Sequence, residues 1–325
     1  MRILNEHEIF QAVDLDEVMA AVENAFRIYE SGDFFMPDRV HVDNGKKTLL
    51  YMPCMTSGLL GTKYLTLFPE NIPKSLPTIY GLMILNDFET GRPLCILDGK
   101  ILTALRTGAV GGTGVRHTSP ETVASVGLVG AGVQGYYQLL YAAKVRDIRR
   151  VCLYDTNAAK LPAYAASLQK ILRPGTDIEI CADTAQLLAK SELVITTTTS
   201  NTPVLPDNTD ALRGKHFIGI GSYKPSMREF PDALAAVADS LFIDAEIAKE
   251  ESGDIAQPLA NGLLTEERIR SFGRYILHAT DKEKEAVKSG TTLFKSVGMA
   301  LFDLVIADVI FRKAEQGNIG ITVPM

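Results

Sequence analysis

The sequence predicts a two-part α/β chain: a doubly wound, Rossmann-type dinucleotide-binding domain joined to an α+β domain built on an antiparallel sheet. Three observations carry this expectation. At residues 125–137 a short apolar run enters a glycine-rich turn and leaves it in a helical pattern. From Glu121 onward strand-like and helix-like segments alternate, the rhythm of a parallel sheet covered by helices. Between Arg39 and Asp98 short apolar runs are instead punctuated by turn residues, among them Asn44-Gly45, a hairpin signal between strands.

Taken in order, Asp14 and Glu17 have capping-box spacing, and Val18, Val22, Ala25, Phe26 and Tyr29 then recur at helical intervals up to Ser31-Gly32. Runs at 40–42, 48–52, 59–67, 78–85 and 94–97 read as a meander. Residues 101–115 read as a helix in which Gly108, Gly111, Gly112 and Gly114 admit a close neighbour, and 117–120 read as the hinge into the next domain. Beyond the glycine turn come a strand at 151–154, a helix at 158–172, strands at 178–181 and 193–199 flanking a helix at 185–190, then strands at 216–220 and 241–244 with a helix at 232–238. Residues 292–314 read as a loop running into a long helix whose apolar stripe is Met299, Phe302, Val305, Ile306, Val309 and Ile310. The expected division is 1–118 with 304–325 for substrate binding and dimerisation, and 119–303 for the dinucleotide.

At 325 residues the chain is long enough for two cores, and 46% hydrophobic with 22% charged residues places it among ordinary globular proteins. The net charge of −6, without a basic block or a Lys/Arg stripe interleaved with aromatics, offers no footprint for nucleic acid or an anionic membrane. No apolar run reaches the roughly 18 residues that span a bilayer. The N-terminus breaks into charges too early for a signal peptide. Cys54, Cys95, Cys152 and Cys181 are widely separated, as expected of free thiols in a reducing cytoplasm. The five histidines lack paired spacing, so no metal site is expected, and the absence of G-x-S-x-G argues against an α/β-hydrolase.

In the turn, Gly130 permits the reversal, Gly132 lets backbone approach a pyrophosphate, and Gly135 lets the helix pack close to the strand. Ala131, Val133 and Gln134 complete the loop and the helix N-terminus, whose free N–H groups suit phosphate. Asp155, about twenty residues further on and followed by Thr156, stands where such folds place a ribose-binding acid. Its charge opposes a 2′-phosphate, so NAD(H) is expected over NADP(H). Thr196, Thr197 and Thr198 close another strand, where their hydroxyls either bond the cofactor or satisfy their own loop. Arg39, Lys63 and Arg106 are cations in otherwise apolar segments. A guanidinium can hold a carboxylate in bidentate fashion and an amine of lowered pKa can pass a proton, but from composition alone each is more often a surface cation.

Four segments together resemble the ornithine cyclodeaminase/μ-crystallin family: I-L-T-A-L-R-T-G-A from Ile101, V-G-L-V-G-A-G-V-Q-G from Val126, G-I-G-S-Y-K-P-S-M-R-E from Gly219 and L-F-K-S-V-G-M-A from Leu293. They run in the family's order along nearly the whole chain. The resemblance implies a homodimer whose N-terminal domains join their sheets into a shared barrel, a C-terminal helix returning to that domain, and small amino or imino acid substrates. It also implies that Arg39, Lys63 and Arg106, with Thr107 beside them, grip the substrate carboxylate, that Lys63 and Arg106 are catalytic, and that Ser296 and Gly298 lie on the nicotinamide side. One departure narrows the reaction. The cyclodeaminases carry an Asp in the stretch where this chain has Gly221-Ser222-Tyr223. Ser222, expected on the substrate side, cannot act as a carboxylate base. The stretch is more similar to members that reduce ketimines such as Δ1-pyrroline-2-carboxylate and Δ1-piperideine-2-carboxylate. The resemblance therefore implies NAD(P)H-dependent reduction of cyclic imino acids to L-amino acids. Ornithine cyclodeamination with retained NAD, an alanine-dehydrogenase-like activity, and a non-catalytic binding protein are the alternatives.

Overall fold

Side-chain caps start the first helices. Asn5 accepts the N–H of Glu8 and the Glu8 carboxylate takes the N–H of Asn5, opening α1 (Glu6–Ala12) after the short strand β1 (Arg2–Leu4). Asp14 accepts the N–H groups of Asp16 and Glu17 to open α2 (Leu15–Ser31), which closes at Gly32 in the left-handed region, φ 74°. The computed structural model describes residues 1–324, apart from the side chain of residue 72. They fall into two compact units, one of residues 1–106 with the chain from Met299 onward, the other of Thr107–Gly298.

In the first unit β2 (Phe34–Phe35), β3 (Val40–Asn44), β4 (Lys47–Thr56), β5 (Leu60–Leu67), β6 (Ile79–Asn86) and β7 (Pro93–Asp98) follow one another. β3 to β7 pair antiparallel in chain order, with Gly45 at φ 62° in the β3–β4 turn. The sheet is mixed rather than purely antiparallel, because β1 joins parallel to β7 and the C-terminal strand Ile321–Thr322 closes the edge beyond it. Three residues of β1 are too few to show a period, which is why the run of charges around it reads as no element at all. The C-terminal helix Ala300–Gln316 packs on α2, where the Phe26 and Phe302 rings meet edge to face at 5.0 Å, and on β4 and β5. The opposite face of the sheet carries, in register, Val40, Tyr51, Tyr64 and Leu82, then Val42, Leu49, Thr66 and Tyr80; Val40, Val42, Tyr51, Tyr80 and Leu82 are exposed.

α3 (Gly99–Thr118) begins where Asp98 accepts the N–H groups of Lys100 and Ile101. In the second unit β8 (Ser125–Val129), β9 (Arg150–Tyr154), β10 (Asp177–Ile180), β11 (Leu193–Thr196), β12 (His216–Gly219), β13 (Ser240–Ile243), β14 (Ile269–Ser271) and β15 (Thr292–Lys295) build one parallel sheet, in the order β10-β9-β8-β11-β12-β15-β13-β14, and α4 (Val133–Val145) joins β8 to β9. The order reverses between β8 and β11, and the crevice beyond their carboxyl ends is where such sheets bind ligands. The structure corrects the expectation that 292–295 is a loop beyond the last strand: β15 lies between β12 and β13, all four residues buried. A four-residue strand buried on both faces shows no alternation. The expected helix at 158–172 is a single 3-10 turn, Ala158–Lys160, then Leu161–Leu168 with Pro162 in its first turn. The units divide at Arg106 and Met299, whereas 118 and 303 were expected. The glycines of α3 explain the first difference: a Cβ at Gly108 or Gly112 would meet Tyr137 or Tyr141 of α4 at 2.8 and 2.6 Å, so this half of α3 is packed against α4.

Candidate functional site

The glycine turn separates its three residues by task. Gly130 has φ 100°, and a Cβ there would press on Thr197 backbone at 3.0 Å; at Gly135 it would meet the Gly130 carbonyl oxygen at 2.6 Å. At Gly132, the N-cap of α4, it would meet nothing within 4 Å. Packing therefore requires the first and third glycines, while the second leaves open space in front of the α4 N-terminus, where Val133 and Gln134 offer N–H groups. The Gln134 Oε1 is buried without a partner in the same first turn.

Asp155 follows β9. Its Oδ2 accepts the Ala131 N–H at 2.8 Å and lies 2.6 Å from Lys160 Nζ, while Oδ1 accepts the Asn157 N–H at 2.9 Å. Burial alone would raise its pKa, but the Lys160 and backbone N–H bonds outweigh it and hold the carboxyl below the usual range. Thr156 is exposed beside it. These groups suit an adenosine ribose and pyrophosphate: a carboxylate at the strand end, an open glycine, a helix N-terminus. The three threonines differ. Thr197 Oγ1 donates to the Gly130 carbonyl at 2.7 Å and so belongs to the turn; Thr196 Oγ1 is buried without a partner; Thr198 is held by Glu229.

Three buried carboxylates organise the carboxyl edge of the parallel sheet. Glu229 Oε1 accepts the Thr198 N–H and hydroxyl at 2.6 and 2.9 Å, and Oε2 accepts the N–H groups of Gly221 and Ser222 at 2.7 and 3.3 Å. Asp254 Oδ1 accepts the N–H groups of Glu229 and Phe230, and Lys295 Nζ at the end of β15 lies 3.3 Å from Asp254 Oδ2 and 4.0 Å from Glu229 Oε2. Burial pushes the Glu229 carboxyl up, with Lys295 opposing it. Asp244 accepts the Ser296 hydroxyl at 2.6 Å and the N–H groups of Val297 and Gly298. The Ser222 side chain is fully buried, its hydroxyl donating to the Met227 carbonyl at 2.7 Å and meeting Ser252 Oγ at 3.1 Å. That hydroxyl is thus engaged within its own loop. None of Glu229, Asp244, Asp254 and Lys295 stood out in the sequence, although a lysine ending the apolar run T-L-F-K is a signal that it meets a buried acid. Glu229→Ala should lower the unfolding free energy by about 3–5 kcal/mol, since Lys295 and four donors lose their acceptor. Urea denaturation measures it, and a loss below about 1 kcal/mol would make the clamp dispensable.

In the first unit Lys63 lies on β5 between Met52 and Met83, on the buried face. Its Nζ donates to Asp303 Oδ2 at 2.6 Å, and Arg106 Nε donates to Asp303 Oδ1 at 3.2 Å. Lys63 and Asp303 are 1% or less exposed and Arg106 is 8% exposed. Burial is the main influence on Lys63 and lowers its pKa to about 8, with Asp303 opposing and Arg106 and Arg39 adding to the fall. Arg39, half-buried ahead of β3, thus acts on Lys63 through its field. Among the described residues the two Nη groups of Arg106 have no hydrogen-bond partner. Thr107, the first residue of the second unit, has a buried Oγ1 without a partner. Asp303 was missed because it sits inside the apolar stripe of the C-terminal helix, where an unpaired acid would be costly; that misfit is the signal for it.

A doubly wound sheet with a glycine turn at its switch point defines the second unit as a Rossmann-type α/β domain, and the first unit carries a buried lysine–aspartate–arginine group. The model of the ornithine cyclodeaminase/mu-crystallin family matches residues 1–318, and the chain belongs to that family. It is similar to a Δ1-pyrroline-2-carboxylate reductase of Bacillus cereus, 31% identical over 327 residues that cover 98% of each chain. Among solved structures it resembles Thermococcus litoralis Δ1-pyrroline-2-carboxylate reductase in complex with NADH and L-proline, with a TM-score of 0.89 at 30% identity, covering 99% of this chain and 100% of that one. An archaeal alanine dehydrogenase dimer with bound NAD gives a TM-score of 0.87 at 28% identity, covering 100% and 99%.

Proposed function

We propose that this protein is an NADH-dependent reductase of small cyclic imino acids, converting Δ1-pyrroline-2-carboxylate or Δ1-piperideine-2-carboxylate to the L-amino acid. The Lys63–Asp303–Arg106 group carries the reading. It combines an unpartnered guanidinium fork, shaped for a carboxylate, with a buried ammonium acidic enough to protonate an imine nitrogen. The relative that binds NADH and L-proline supports it, since proline is the product of reducing the five-membered imine. When bound, NADH would supply the hydride for the C=N carbon. Arg106 orients the substrate through its carboxylate, Arg39 adds positive field, and Lys63 gives its proton to the nitrogen while Asp303 holds the ammonium in place.

In the second unit the α4 N-terminus and Gly132 would take the pyrophosphate and Asp155 the adenosine ribose, with NAD(H) favoured over NADP(H) by the carboxylate charge. Thr196 to Thr198 and Ser296 to Gly298, shaped by Glu229 and Asp244, would line the nicotinamide side. Gly132→Ala should then weaken NADH binding by about tenfold or more while shifting the melting temperature by no more than about 2 °C. A fluorescence titration beside a thermal melt reads both, and an unchanged Kd would move the pyrophosphate elsewhere.

The exposed apolar face of β3 to β6 supports a homodimer through the first unit, and the four buried free thiols suit a cytoplasmic location. Sedimentation at the monomer mass would remove the dimer. The decisive assay follows NADH and NADPH oxidation with pyrroline- and piperideine-2-carboxylate and with pyruvate plus ammonia, and ammonia release from ornithine separately. Oxidation with the cyclic imines is expected. Turnover with pyruvate plus ammonia alone would favour the alanine-dehydrogenase reading, and ammonia from ornithine without net NADH would replace both.

A further inference from the structure

We propose that Lys160 is a receptor for the 2′-phosphate of NADPH and sets how strongly this chain discriminates between the two nicotinamide dinucleotides. The inference rests on reading the second unit as the dinucleotide site. A lone carboxylate at the end of the second strand rejects a 2′-phosphate by charge, and this is why Asp155 alone predicts NADH. Asp155 is not alone. Lys160 Nζ lies 2.6 Å from its Oδ2, so the phosphate would approach a pair close to neutral rather than an anion.

The two partners are unequally placed. The Asp155 side chain is 11% exposed and pinned through both oxygens by the N–H groups of Ala131 and Asn157, whereas the Lys160 side chain is 40% exposed and its ammonium, among the described residues, bonds to Asp155 alone. The carboxylate is therefore the fixed member and the ammonium the movable one. Lys160 sits at the end of the 3-10 turn Ala158–Lys160, with a flexible four-carbon stem and three donors, so it can turn from Asp155 to a phosphate beside it. Thr156 and Asn157 are exposed on the same loop and add a hydroxyl and an amide on the approach. The other cations of this strand are elsewhere: Arg149 and Arg150 stand at its amino end, bonded to Asp147 and Asp177. A residue five positions beyond the acid, on a segment that reads as helix, gives no sequence sign of this role.

The test uses the full-length protein without substrate. Binding of NADH and NADPH is measured by nucleotide fluorescence, and of 5′-AMP and adenosine 2′,5′-bisphosphate by calorimetry. Lys160→Ala should lower the NADPH-to-NADH affinity ratio, and the bisphosphate-to-AMP ratio, by about tenfold, while Lys160→Arg should largely retain both. Asp155→Ser should raise the ratios, and the gain should vanish in the variant that also carries Lys160→Ala. Equal weakening of both nucleotides in Lys160→Ala, or unchanged ratios, would overturn the proposal and leave Lys160 as a strut for Asp155. Failure of the unmutated protein to bind either NADH or 5′-AMP would instead overturn the dinucleotide reading itself.

Discussion

Replacing Lys63 by methionine should lower kcat for imino-acid reduction by about 10²–10⁴-fold, the usual contribution of a positioned general acid, with the Kd for NADH changed by less than about twofold. Methionine keeps the volume between Met52 and Met83 and removes the ammonium. The pH dependence gives an independent check. Lys63 must be protonated to donate, and burial has brought its pKa down to about 8, so the reduction rate should be flat below that value and fall as pH rises through it. In the oxidative direction the same group must accept a proton, and the limb should invert. Lys63→Arg keeps the charge but does not release a proton in this range, so it should lose most of the rate and the limb together. Full turnover in either variant, or a limb that persists, would take the proton from another group.

Asp303→Asn should have the second largest effect, on both pH profile and stability. Asp303 separates two cations that otherwise face each other across a buried space, bonding Lys63 at 2.6 Å and Arg106 at 3.2 Å. Without its charge, burial and the fields of Arg106 and Arg39 act on Lys63 unopposed, and its pKa falls further. The reduction limb should therefore move to lower pH, leaving less of the acid form at neutrality. Arg106 loses the bond that aims its fork, so KM for the imino acid should rise. Breaking a buried pair by removing one charge also costs about 3–5 kcal/mol of folding stability. A variant that is destabilised in urea but keeps the original pH limb would reduce Asp303 to a structural strut.

Much of the second unit was legible because its signals are local. The glycine spacing, the apolar run before it and Asp155 after it are set by what a turn, a strand and a helix start require within about thirty residues. The meander was legible for the same reason, since alternation and Asn44-Gly45 belong to neighbouring strands. β15 was not, because four residues buried on both faces carry no period, and its place between β12 and β13 depends on strands distant in the chain. Arg39, Lys63 and Arg106 were visible only as misfits among apolar residues, and their weight came from the family resemblance.

What the sequence determined by itself is the pattern: two units, a dinucleotide turn, three cations among apolar residues and a serine where related cyclodeaminases carry an acid. Tertiary structure decided the partners. Asp303 reaches Lys63 from 240 residues away, Glu229 ties two strand ends, and Lys160 shares the charge of Asp155. The reason is physical: the cost of burying a charge is written in one residue's surroundings, but the group that offsets it can come from anywhere the fold brings near.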